Sequence, residues 1–127
     1  MTMNLKDPII DQGMIQELLI LSEPGYAFFL EIIDMYEKKS VDIIQEMERE
    51  IEMLNQGNFE LQLIAQAHRF KGVNYNIGAQ RLAAWCARLE LACRSQEWRD
   101  VPMIFRDLQS CYKLTMDELA QIKSKFV

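Results

Sequence analysis

Proline occurs three times and glycine five times in the 127 residues. That is too few chain breaks for a strand-rich fold, which needs a turn roughly every 8–12 residues. Low-complexity tracts are missing too, and half of the residues are apolar, which argues against a disordered chain. Cysteine is scarce: Cys86, Cys93 and Cys111 form an odd set with no C-x-x-C pair. A redox or zinc site therefore has no spacing to rest on, and the three read as small buried hydrophobes. Histidine occurs once. A metal or haem bundle draws on several inward-pointing ligands, such as paired Glu-x-x-His elements, and one histidine cannot supply them.

Excess positive charge is also missing. The net charge is −5, with acidic and basic residues intermixed along the chain, so a nucleic-acid partner would find no electrostatic footprint. The longest apolar stretches, such as I-Q-E-L-L-I-L from Ile15 to Leu21, are too short and too interrupted to span a membrane. The N-terminus M-T-M-N-L-K-D-P lacks the pattern of a secretory signal, so a cytoplasmic protein is expected. There is no G-x-x-x-x-G-K-[ST] loop and no carboxylate cluster beside the histidine for magnesium. ATP-dependent kinase activity and a resident cofactor are accordingly not expected.

What is present is helical periodicity. A chain of this length can bury about two-thirds of its unfolded surface, enough for one core, and a single domain over residues 1–127 is expected. Asp11 suits the cap of a short helix to about Leu21, with Ile10, Met14, Leu18 and Leu21 facing inward and Ser22-Glu23-Pro24-Gly25 ending it. From Pro24, placed in a first turn, to about Asn55 the apolar positions Phe29, Ile33, Tyr36, Ile43, Met47, Ile51 and Leu54 form one stripe. Gly57 suits the turn that follows. A third helix is expected from near Asn58 to Ile77 on Phe59, Leu63, Ala67 and Phe70, broken at Gly78. A fourth follows on Leu82, Cys86, Leu89 and Cys93. After a turn at Ser95–Trp98, Asp100 and Pro102 open a last helix on Ile104, Leu108, Cys111, Thr115, Leu119, Ile122 and Phe126. Short connections make successive helices antiparallel. The expected fold is all-α, an antiparallel up-down four-helix bundle with a short additional N-terminal helix.

The stretch H-R-F-K-G, residues 68–72, puts a glycine inside a helix, where it costs about 0.5–1 kcal/mol relative to alanine. At 100° per residue His68 falls nearly opposite the stripe of Leu63, Ala67 and Phe70 and should face water. Ile64, Lys71, Gly72 and Tyr75 share its face. A missing side chain at Gly72 leaves room for another molecule's backbone. Lys71 brings a mobile ammonium within a turn of the imidazole, suited to an anion such as a phosphoryl group.

H-R-F-K-G-V-N-Y-N-I-G-A, residues 68–79, resembles the signature of histidine-containing phosphotransfer (HPt) domains, the shuttles of multistep phosphorelays. L-A-A-W-C-A-R-L-E, residues 82–90, is similar to the family's next helix. The resemblance implies that His68 is the phosphoacceptor, that Lys71 stabilises the phosphoryl oxygens, that Gly72 gives clearance to the partner, and that Glu90 orients His68. The bland alternative for Glu90 is surface pairing with Arg88 or Arg94. Small residues often follow the glycine in this family, whereas Val73, Asn74 and Tyr75 are larger, which bears on partner choice.

On this reading the chain is a phosphorelay intermediate that takes a phosphoryl group from a receiver-domain aspartate and passes it to another. Ile64, Ala65, Tyr75 and residues of the first helix would form an apolar docking patch. The implied partners are receiver domains of response regulators or a hybrid histidine kinase, the partner receiver bringing the magnesium, and the protein itself a monomer. The competing reading is a noncatalytic helical adaptor for receiver or kinase domains. The initiating methionine and tidy end favour a free-standing protein over a piece of a hybrid kinase.

Overall fold

The structure, a computed structural model, describes residues 6–57 and 62–126. It contains five helices: α1 (Gln12–Leu21), α2 (Ala27–Asn55), α3 (Leu63–Ile77), α4 (Gln80–Arg94) and α5 (Val101–Ser124), with no strand among the described residues. Helix α2 packs against α3 and α5, and α4 packs against the same two, which closes a ring of four with α1 added against α2. The expected bundle with its short N-terminal helix is the observed fold.

The stripes read from the sequence form the core. Every position expected inside α2, from Phe29 to Leu54, is buried, as are Leu82, Cys86, Leu89 and Cys93 on α4 and Ile104 to Ile122 on α5. At about 25 cal/mol per Å2, burying such side chains is the main term that holds four amphipathic helices together. Burial pushes the Cys86 thiol far up and the Cys93 thiol up to about 11, and raises Cys111 as well. All three cysteines are free and buried, so they serve as small apolar residues.

Two local expectations change. Pro24 is not in the first turn of α2. It precedes that helix in a turn where Gly25 has φ +88°, and α2 starts at Ala27. In α1, Ile15 rather than Leu21 faces inward, and Leu21 is 71% exposed. Asp11 caps the helix as expected by accepting from the Gly13 N–H, and Ile10 is buried and Leu18 packs against the core, so the cap and most of the stripe were legible. The expected start of the third helix near Asn58, with Phe59, lies outside the described residues, and α3 is described from Leu63.

The α3–α4 corner positions the rest. Gly78 ends α3 with φ +80°, a left-handed conformation that only glycine adopts without strain. Its carbonyl accepts from the N–H of Asp11, and Met14 packs over its Cα. The start of α1 is thus pinned to the turn that makes α3 and α4 antiparallel neighbours.

Candidate functional site

The face of α3 turned away from the core carries His68, whose side chain is 67% exposed. Leu63, Ala67, Phe70, Asn74 and Ile77 point the other way into the core, so the rotation of α3 that buries them forces His68 out. Its Nδ1 lies 3.4 Å from Oε1 of Glu90 on α4. A carboxylate beside Nδ1 favours the tautomer with the proton there, which leaves the lone pair on Nε2.

Glu90 is the centre of the arrangement. It is 8% exposed and accepts from three cationic or potentially cationic groups. Lys71 Nζ donates to Oε1 at 3.1 Å, and Arg94 donates to Oε2 through Nε at 3.1 Å and Nη2 at 2.9 Å. Burial pushes the Glu90 carboxyl up. The hydrogen bonds from Arg94 and then Lys71 outweigh that and hold it below the ordinary carboxylate value. Both readings of Glu90 are therefore present at once: it touches His68 and it pairs with Arg94, four residues on, while Arg88 takes no part. Lys71 differs from the mobile ammonium expected of it. It is partly buried and rests on Glu90, because α4 brings a carboxylate within its reach.

Gly72 stands in the middle of α3, and a Cβ built on it would meet nothing within 4 Å. No neighbour in the fold requires a glycine there. The space beside His68 is open to another molecule. Of the expected docking positions, Ala65 is exposed and Tyr75 is 45% exposed, whereas Ile64 is partly buried against the core. The start of α1 is tied to Gly78, ten residues from His68, about 15 Å along the helix axis at 1.5 Å per residue.

Charge is segregated between helices. Helices α3 and α4 carry Arg69, Lys71, Arg81, Arg88 and Arg94 against one acid, Glu90, whereas α2 carries eight acidic residues against Lys38, Lys39 and Arg49. The intermixing of charge read from the sequence does not hold segment by segment, since the acid-rich α2 and the base-rich α3–α4 hairpin are each contiguous stretches of the chain.

The protein-family model for the Hpt domain matches residues 31–123, a span from the first turns of α2 to the last turn of α5 that contains His68, Lys71, Gly72 and Glu90. The chain belongs to the Hpt domain family. Its role is histidine phosphotransfer in a phosphorelay, as a carrier of the phosphoryl group. Hpt domains work with receiver domains of response regulators and with kinases. Among solved structures, the chain is similar to histidine-containing phosphotransfer protein B (HptB) from Pseudomonas aeruginosa PAO1, with a TM-score of 0.77 and 23% sequence identity over 96% of this chain and 100% of that one. At that identity the likeness bears on the Hpt fold. No curated protein matches the chain. Among the described residues no helix is long and apolar enough to cross a membrane, and no group of His, Cys, Asp and Glu is gathered to hold a metal ion.

Two features of the Hpt site were not read from the sequence. The resting ion pair between Lys71 and Glu90 joins two helices, and the periodicity of either helix alone carries no sign of it. The bond between Tyr36 and Asn74 beneath the site likewise joins residues far apart in the chain.

Proposed function

We propose that His68 is the phosphoacceptor. The observation that carries this reading is that a chain of a histidine-phosphotransfer family has one histidine, and that histidine stands outside the bundle with its side chain 67% exposed.

The chemistry follows from the two nitrogens. The Nε2 lone pair attacks phosphorus of a receiver's aspartyl phosphate, an N–P bond forms, and the P–O bond to the aspartate breaks, releasing a carboxylate. The proton on Nδ1 stays facing Glu90, which stabilises the positive charge the ring gains. Phosphoryl transfer rests on alignment and on neutralising the equatorial oxygens. Lys71, within a turn of His68, supplies one cation by exchanging its bond to Glu90 for one to a phosphoryl oxygen, while Arg94 keeps Glu90 in place. The receiver supplies its own aspartate and magnesium, and a second receiver aspartate takes the phosphoryl group by the reverse path.

The proposal extends to a monomeric cytoplasmic carrier without ATP-dependent kinase activity of its own, supported by the absence of a nucleotide-binding loop in the sequence. Incubation with a receiver domain charged by acetyl phosphate tests the scheme. Acid-labile label should appear on the protein and be lost in His68→Gln. Label retained by that variant would rule out His68.

A further inference from the structure

We propose that the face around His68 is an electropositive docking surface that selects receiver domains whose phosphoaspartate is ringed by acidic side chains. The proposal rests on the reading of His68 as phosphoacceptor and adds a partner chemistry to it.

The argument starts from the segregation of charge. In a chain of net charge −5, α3 has Arg69 and Lys71 and no acidic residue between Leu63 and Ile77. Beside it on α4, the one acid, Glu90, is buried and taken up by Lys71 and Arg94. Glu90 therefore offers little negative potential to an approaching surface, while Arg94 remains 58% exposed at the side chain. On the other flank of α3, Lys39 of α2 lines the groove beside Val73 and Asn76. Positive side chains thus lie on α3 itself and on both of the helices packed against it.

Of the eight acids of α2, four are placed away from α3, while Glu50 accepts from the N–H of Gln62 at the start of α3. Asp34 and Glu37 turn to Lys123 on α5, Glu48 accepts from Gln109 on α5, and Asp42 lies with Lys38 and Val41 on the outer face of α2. The molecule presents unlike faces, and the field between them orients an incoming charged partner. Arg69 has a specific place in this. It is exposed one residue from His68, and neither the core nor the Glu90 cluster uses it.

An acidic ring fits this surface twice over. It is attracted before contact, which raises the association rate, and it brings phosphate toward a site already supplied with cations. A receiver with a basic ring meets like charge and is rejected.

The test measures kcat/KM for transfer from receiver domains charged with acetyl phosphate, comparing the wild type with the double variant Lys39→Glu and Arg69→Glu and with a control, Arg106→Glu, on α5. Screening shortens the reach of charge from about 30 Å at 0.01 M salt to about 3 Å at 1 M. The double variant should lose about tenfold in kcat/KM at about 0.01 M salt, with kcat unchanged, and less than about twofold at about 0.5 M. The control should match the wild type, and receivers with acidic rings should outrun those with basic ones. Transfer that proceeds on His68 but ignores both salt and the double substitution would overturn the docking surface while leaving the phosphoacceptor assignment standing. Absence of label from wild-type His68 with every receiver would overturn both. Tight, salt-sensitive binding of a labelled RNA oligonucleotide that blocks transfer would reassign the face to nucleic acid and also overturn the proposal.

Discussion

Nδ1 of His68 and Oε1 of Glu90 stand 3.4 Å apart across the α3–α4 interface, so the imidazole of one helix is held by a carboxylate of the next. Glu90→Gln keeps an acceptor for Nδ1–H but removes the charge that balances the ring once phosphorus is attached. We expect transfer to His68 to slow about tenfold, which corresponds to about 1.4 kcal/mol in the barrier, with helicity unchanged. Glu90→Ala should slow it further and let the imidazole sample both tautomers, visible in the 15N shifts of the ring. Unaltered ring shifts in Glu90→Ala would show that Glu90 does not set the tautomer.

Stability and transfer should move in opposite directions at Gly72. A methyl group there meets open space, and the backbone is helical, so Gly72→Ala should stabilise the bundle by about 0.5–1 kcal/mol through helix propensity. Gly72→Gln should also fold, yet its longer side chain would occupy the approach to His68 and reduce transfer. Thermal denaturation and receiver-to-protein transfer on the same samples read the two effects separately. Normal transfer in Gly72→Gln would remove the clearance argument.

Acid should dissolve the contribution of Glu90. Its carboxyl is held below the ordinary value of 4.5, so the folded state prefers the ionised form more than the unfolded chain does. The stability this adds is fully present above the ordinary carboxylate range and is lost as pH falls through the lowered folded-state value. The stability difference between wild type and Glu90→Gln, measured by urea denaturation, should therefore be constant near neutrality and shrink on acidification below about pH 4.5. A difference that grew towards acid pH would contradict the ion-pair account.

The sequence made the bundle legible because each helix has one continuous apolar stripe, and a 3.6-residue period says which side is wet. That logic also put His68 and Gly72 on the outer face. It failed at the start of α2, where Tyr26 at the cap position makes no side-chain cap bond and so leaves no signal, while Pro24 offers a misleading one. It was silent on Lys71 meeting Glu90, because a period fixes a residue's angle about its own helix but not what the neighbouring helix brings opposite it. Asn74 is the sharpest case. A polar residue on the buried side of α3 breaks the stripe, and its meaning depends on Tyr36, 38 residues away.

That buried pair yields the last prediction. Tyr36 donates its hydroxyl to Oδ1 of Asn74, whose amide nitrogen points to Sγ of Cys86, so one side chain of α3 is tied to both α2 and α4 inside the core. Burial pushes the Tyr36 hydroxyl well above its ordinary value, and it stays a donor throughout the physiological range. Removing the hydroxyl in Tyr36→Phe leaves the Asn74 oxygen buried with no donor, which should cost about 1–3 kcal/mol. Replacing both partners by apolar groups in Tyr36→Phe with Asn74→Leu leaves no orphaned polar atom at this bond and should recover part of that loss. If instead the two substitutions add independently in urea denaturation, the bond does not couple the helices. If the double variant recovers stability yet transfers more slowly, the bond's contribution lies in fixing the rotation of α3 that aims His68 outward.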